Sequence, residues 1–308
     1  MAISRKSFVE KHGRHAWDAR EWVRSYSAIG NQSTNGTSKE NVTSKSTQNQ
    51  YKQLMKQVSE ELVHFKTTLN QATPEQYEKV LERFSENINQ KSLSNMRIAI
   101  EKGLHTKEKY QEIKLPMIKS EIKEVLNSRA YTPEALKVVH DQMSDKHRLS
   151  LELVAVTNIR AHELFTIRPL AEQAVSPRNY VALYPDRKDW IPYTVVGKGG
   201  LHTLKMLPPA LAEKLEARRV PEHTVKDRGI SYKSVYDLVG GNAMSKAFSR
   251  HSQQALGFSY GIHGCRHSYA QRRMDELKQL GLDRDMRLLT VSQEMGHFRP
   301  DITEVYLR

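Results

Sequence analysis

A mainly helical α+β chain is predicted, an all-helical module followed by a mixed domain with a small antiparallel β-sheet. Three observations predict it. Apolar residues recur at helical spacing from Tyr51 to Leu104. The apolar runs Ile191–Val196 and Leu201–Leu207 flank the turn sequence Gly197-Lys198-Gly199-Gly200, as the strands of a hairpin do. Helical text then resumes near Ala243 and continues to the end, interrupted around Gly257–Gly261 and at Gly281.

The elements follow in chain order. Residues 1–30 form an N-terminal helical segment whose Phe8, Trp17, Trp22 and Tyr26 accompany Arg14, Arg20 and Arg24. Packing of the two Trp side chains on the main body is expected, in preference to a separate DNA-contacting arm. Residues 31–47 are rich in Ser, Thr, Asn and Gln, which bury too little apolar surface to offset ordering entropy, so a polar linker is expected. A helical domain over 48–112 follows. Tyr51, Leu54, Met55, Val58, Leu62 and Phe65 make its first stripe. Thr73-Pro74-Glu75-Gln76 is a capping box with proline at the first helical position, ahead of Tyr77, Val80, Leu81, Phe84 and Ile88. Leu93, Met96, Ile100 and Leu104 mark the next helix. Pro116 and a charged run place an interdomain linker at 113–130, and Thr132-Pro133-Glu134 opens the second domain, 131–308. There, Leu136, Val139 and Met143 line a helix, Leu149–Val156 reads as a buried one, and Tyr180–Tyr184 reads as a strand preceding the hairpin.

The 308 residues suffice for two domains with sizeable cores. Lys and Arg number 48 against 35 Asp and Glu, a net charge of +13. That excess points to a polyanionic partner, nucleic acid before anionic membrane. No apolar run is long enough for a transmembrane helix, and Met1–Lys11 has no apolar segment of a secretory signal, so a cytoplasmic, DNA-associated protein is expected. The lone Cys265 excludes an internal disulfide and cysteine-rich metal sites. His162-Glu163 begins like a zinc-protease helix but lacks the second His, and Gly197-Lys198 lacks the rest of a phosphate-binding loop. No metal and no cofactor are expected.

What remains is an ordered polar series: Arg160, Lys198, His263, Arg266, His297 and Tyr306. His263 and Arg266 lie three apart, so at a helix start both face the end where backbone N–H groups attract anions. Gly296 is suited to a left-handed helix stop that presents His297 just beyond it. Thr157-Asn158-Ile159-Arg160-Ala161-His162-Glu163-Leu164, Gly197-Lys198-Gly199, His263-Gly264-Cys265-Arg266-His267-Ser268-Tyr269-Ala270, and Gly296-His297 followed by Tyr306 together resemble the tyrosine recombinase (phage integrase) family. The resemblance covers Thr132 to Arg308 and, on helix pattern, extends to a core-binding domain over 48–112. The intervals within the series imply loop insertions around Pro185–Trp190 and Leu280–Arg287.

The resemblance implies a site-specific recombinase that cleaves and rejoins DNA through a 3′-phosphotyrosyl intermediate, for integration or excision of a mobile element. Tyr306 would be the nucleophile. Arg160 and Arg266, with His297, would stabilise charge on the phosphate, since planar guanidinium forks bind phosphate in pairs. His263 would accept or position the phenol proton, Lys198 would protonate the leaving oxygen (with Lys205 as substitute), and Glu163 would orient Arg160. Cys265 reads as a core residue, and Arg272, Arg273, Arg284 and Arg287 as solvated or phosphate-touching. Expected partners are double-stranded DNA recombination sites, a homotetramer on paired sites, and DNA-bending or directionality factors. The competing readings are a type IB topoisomerase-like relaxing enzyme and a catalytically idle DNA-binding relative.

Overall fold

The structure, a computed structural model, describes residues 4–29, 41–123, 127–180 and 183–308. The chain divides into two units, Met1–Val125 and Leu126–Arg308.

Among its described residues, five α-helices build the first unit: α1 (Arg5–His12), α2 (Arg14–Arg24), α3 (Lys45–Glu61), α4 (Pro74–Ser85) and α5 (Gln90–Leu104). The capping box at α4 forms as read: the Thr73 hydroxyl accepts from the Gln76 N–H, and the Gln76 side chain accepts from the Thr73 N–H. The one-sided stripes meet in a core of Met55, Val58, Leu62, Tyr77, Val80, Leu81, Leu93, Met96, Ile100 and Leu104. The N-terminal helices join this unit. Ala19, Trp22 and Val23 are buried, and the Trp22 indole N–H donates to the Ala99 carbonyl at 3.2 Å. Trp17 stays half-buried, edge-on to Phe8 and beneath Arg20.

Residues 31–40 of the expected polar linker lie outside the described residues; residues 41–47 are described. Val42 is buried and bridges back to the end of α2, where its N–H donates to the Tyr26 carbonyl at 2.9 Å. With Ser44 as cap, α3 begins at Lys45, before the expected residue 48.

The second unit opens with α6 (Pro133–Asp141) and α7 (Asp145–Thr157). Its sheet has the order β1-β2-β3, with β1 (Arg168–Pro169), β2 (Ile191–Val196) and β3 (His202–Leu207). The pairs run antiparallel, with Ile191 opposite Leu207 and Val196 opposite His202. The expected hairpin is therefore present. The strand expected at Tyr180–Tyr184 is not seen at its described residues, and Val181 and Ala182 lie outside them. Tyr184 has a positive φ of 49°, which breaks extended geometry, and its N–H donates to the Glu294 carboxylate instead.

α8 (Pro209–Glu216) then leads to a two-stranded ribbon, β4 (Arg219–Asp227) and β5 (Ile230–Tyr236), which the sequence reading did not anticipate. Its turn, Arg228-Gly229, has positive φ at both positions, the hairpin geometry normally signalled by Asn-Gly. Pro221 and a register shift interrupt β4, which leaves little alternation to read. α9 (Gly241–Leu256), α10 (Gly264–Gln279), α11 (Arg284–Glu294), α12 (Pro300–Glu304) and a 3₁₀ turn (Val305–Leu307) complete the chain. Where the loop insertion at Leu280–Arg287 is expected, Asp283 caps α11 through the Met286 N–H, so Arg284–Arg287 are helical and the loop itself is confined to 280–283. Met274, Leu277, Leu288 and Val291 form a second core on which Ile302 and Leu307 pack. That core holds the C-terminal segment against its own unit.

Gly103 on α5 lies flat against Trp22; a Cβ there would meet the indole at 2.0 Å. Gly103→Ala should destabilise the first unit by about 1–3 kcal/mol, measured as a lower urea midpoint at unchanged slope in Trp fluorescence.

Candidate active site

Three helix termini and a strand converge in the second unit. α7 ends at Asn158, whose left-handed φ of 56° turns the chain so that Ile159 enters the core and Arg160 emerges at its edge. Arg160 stands beside the buried Glu163, which accepts from the Arg160 N–H at 2.8 Å and from its guanidinium at 2.6 Å. Burial alone would raise the Glu163 carboxyl pKa, but the charges of Arg160, Arg266 and Lys205 outweigh it and hold the group below its usual value.

α11 ends in a paired-hydrogen-bond stop. The His297 N–H donates to the Ser292 carbonyl and the Gly296 N–H to the Gln293 carbonyl, with Gly296 at φ 71°. A side chain at Gly296 would be strained, and its Cβ would meet Thr203 at 3.0 Å. The sequence-level reading of His297 as presented just past a left-handed stop is thus what the backbone does.

α10 supplies the centre. His263 is its N-cap residue, and Arg266 in its first turn is 1% exposed. One Arg266 nitrogen donates to the Asn158 main-chain carbonyl, and the other donates to the Met295 carbonyl at 3.2 Å and lies 3.1 Å from His297 Nε2. Arg266 Nε is buried without a partner. No carboxylate touches this guanidinium among the described residues. Burial first, then the charge of Arg160, pulls its pKa below the usual guanidinium value.

Tyr306 sits in the last 3₁₀ turn, 9% exposed, where the Gln271 side chain donates to its carbonyl at 3.2 Å. Its hydroxyl is 3.4 Å from His263 Nε2. The ring stacks on His297 at 5.1 Å, lies 4.7 Å from the His267 ring, and has the Arg266 guanidinium carbon 5.7 Å from its centroid. Burial, reinforced by Arg266, lowers the His263 imidazole to about 4 and the His297 imidazole to about 3. Both are therefore neutral at physiological pH. Because Arg266 can only donate, His297 Nε2 is the acceptor and Nδ1 carries the proton, unpartnered and buried.

The structure thus brings together five of the six candidates, Arg160, His263, Arg266, His297 and Tyr306, within one unit. The turn carrying the sixth, Lys198, joins β2 to β3. Lys205, the substitute, lies at the base of the same site: 1% exposed on β3, its ammonium donates to the Glu294 carbonyl at 2.6 Å and Asn158 Oδ1 at 3.0 Å. Burial, with repulsion from Arg266 and Arg160, brings Lys205 down to about 7, although Glu163 and Glu294 work against the fall.

Sequence reasoning missed three groups here: Asn158, which had no signal of its own; His267, quoted in its motif without a role; and Arg273. Arg273 was read as solvated or phosphate-touching, and this is corrected. It is 0% exposed and pairs with Asp186, Glu276 and the fully buried Glu294. Asp186 and Glu294 come from a distant loop and another helix, so spacing alone could reveal only Glu276. Cys265 is buried, and that burial pushes its thiol up to about 12, as a core residue requires.

No metal-binding cluster occurs among the described residues, and no helix among them is long and apolar enough to cross a membrane. No family model matches the chain, and no curated protein matches its sequence. Solved structures do match in fold. The XerH site-specific recombinase bound to palindromic difH substrate, a post-cleavage complex, aligns at 15% identity over 96% of this chain and 90% of that one, with a TM-score of 0.57. A lambda integrase dimer bound to a COC′ core site aligns at 14% identity over 98% and 84%, also at 0.57. A lambda integrase tetramer bound to a Holliday junction aligns at 13% identity over 99% and 77%, at 0.54.

The depressed imidazoles predict an acid limb in stability. Between the ordinary histidine value and about 4 the unfolded chain binds protons that folded His263 and His297 refuse. Stability is therefore full above about 6.5 and lost as pH falls toward 4. Thermal melts of the wild type should show this decline, with a shallower slope in His297→Gln.

Proposed function

We propose that this chain, which has the fold of the tyrosine recombinases, is a site-specific DNA recombinase or integrase acting by metal- and ATP-independent transesterification. The observation that carries this reading is Arg266: a buried guanidinium with no carboxylate partner and an orphaned Nε, beside a phenol. Such a charge calls for an anion, and a guanidinium fork matches phosphate.

In the proposed reaction Tyr306 Oη attacks the scissile phosphorus. The Oη–P bond forms, the bond from phosphorus to the deoxyribose 5′ oxygen breaks, and a 3′-phosphotyrosyl ester and a free 5′-hydroxyl result. The phenol proton passes to His263 Nε2, a neutral acceptor 3.4 Å away. Negative charge accumulating on the nonbridging oxygens is met by Arg160, Arg266 and the Nδ1 proton of His297. Lys198 is assigned the proton for the departing 5′ oxygen; the other bonds of Lys205 turn it toward Asn158 and Glu294, which argues against the substitute. The ester conserves the energy of the broken bond, so a 5′-hydroxyl from a second duplex reseals it. That exchange requires several protomers on paired sites, and the tetrameric integrase on a Holliday junction supports a homotetramer. The +13 charge supports phosphate-dominated binding that weakens with salt.

Capture of covalent protein–DNA adducts, followed by sequencing of the attached DNA, should identify the site. On a nicked version of that site Tyr306→Phe should form no adduct, and Arg266→Lys should bind but cleave about 10²–10³-fold more slowly. An adduct formed by Tyr306→Phe would overturn the assignment.

A further inference from the structure

We propose that Asn158 is a positioning residue for strand cleavage, its carboxamide, held by Lys205, setting the orientation of the Arg266 guanidinium. This rests on the recombinase reading above. Asn158 is 0% exposed, so each polar atom it buries needs a partner. All have one. Oδ1 accepts from Lys205 Nζ at 3.0 Å and lies 3.4 Å from an Arg266 nitrogen. Nδ2 donates to the Glu294 carbonyl at 3.4 Å, and the main-chain carbonyl accepts from Arg266.

The amide orientation follows from its neighbours. Two cationic donors face Oδ1 and a carbonyl faces Nδ2; the flipped amide would aim N–H groups at both cations. One residue thereby ties four parts of the site: the loop that carries Arg160, β3 through Lys205, α10 through Arg266, and the end of α11 that presents His297.

The residue type also matters. The left-handed backbone at φ 56° suits Asn or Gly. Gly would keep the turn but strip the acceptor from Lys205 and one restraint from Arg266. Asp would keep the acceptor but add a carboxylate against Arg266 and neutralise the charge offered to a phosphate. Asn restrains the cation while leaving it uncompensated.

The test uses the full chain on a nicked recombination site captured by the wild type, with protein saturating. Asn158→Gly is expected to bind that DNA with unchanged affinity and to form the covalent complex about 100-fold more slowly, to full final amplitude. A loss that is merely structural would instead reduce the amplitude and leave the rate. Lys205→Met is expected to slow cleavage in the same way, and it reads the same coupling should the glycine variant fail to fold. The double variant should be no slower than the slower single one. Wild-type rates in both single variants, or effects that multiply in the double, would overturn the proposal.

A readout without DNA separates this inference from the function. In ¹⁵N-labelled protein the Arg266 guanidinium resonances, distinct while its hydrogen bonds hold, should average in Asn158→Gly. Averaging in a protein whose wild type never cleaves DNA would retain the positioning and discard the recombinase reading. Unchanged resonances together with unchanged rates would discard the positioning alone.

Discussion

The second unit is organised around a buried positive charge that has no counter-charge in contact among the described residues. Taking a guanidinium out of water costs several kcal/mol unless its donors find acceptors. Arg266 finds neutral ones: the carbonyls of Asn158 and Met295, and an imidazole nitrogen. Those carbonyls are available because α7 and α11 both end beside it, and the last carbonyls of a helix lack intrahelical partners. The caps follow from the same need. Asn158 and Gly296 adopt left-handed geometry where the chain must stop, expose its carbonyls and turn toward Arg160 or His297.

Arg273 shows what a buried arginine looks like when it serves only the fold. It lies on the same helix seven residues after Arg266, two turns along one face. Both are completely buried. Arg273 is surrounded by Asp186, Glu276 and Glu294, and although burial opposes its charge, Asp186 and Glu294 hold its pKa above the usual guanidinium value. Arg266 has moved the opposite way. The contrast separates a satisfied structural cation from one whose affinity for an anion is unspent. The two are also linked, because the Glu294 carboxylate that neutralises Arg273 belongs to the residue whose carbonyl accepts from Lys205 and Asn158.

What the sequence made legible were features encoded over a few residues. The capping box at Thr73, the hairpin around Gly197–Gly200, the stop at Gly296 and the three-residue spacing of His263 and Arg266 each carry local chemistry, and each is present. What stayed hidden depends on contacts distant in the chain. Asn158 gains its meaning from Lys205, Arg266 and Glu294, and Arg273 from Asp186 and Glu294. The β4–β5 ribbon was hidden for a different reason: β4 is mostly exposed with weak alternation, and Arg228 occupies a turn position where Asn or Asp would have been informative. The strand expected at Tyr180–Tyr184 is not seen at its described residues, because apolarity alone does not reveal a backbone group held by a side chain, here the Tyr184 N–H on the Glu294 carboxylate.

The electrostatic imbalance joins the fold to its chemistry. Arg160, Arg266 and Lys205 crowd one site, and the carboxylate paired with Arg160 is that of Glu163. Burial first, and then repulsion among these cations, lowers the pKa of Arg266 and Lys205 and keeps His263 and His297 neutral. In the proposed reaction, a phosphodiester entering this site would relieve the repulsion, and the second negative charge gained during attack would relieve it further. The greater relief therefore comes in the transition state, and interaction that grows along the reaction coordinate accelerates the step instead of merely tightening binding. Pairing Arg266 with an internal carboxylate would stabilise the resting fold at the cost of that difference, so in the proposed reaction the lack of one among the described residues is the feature on which catalysis depends.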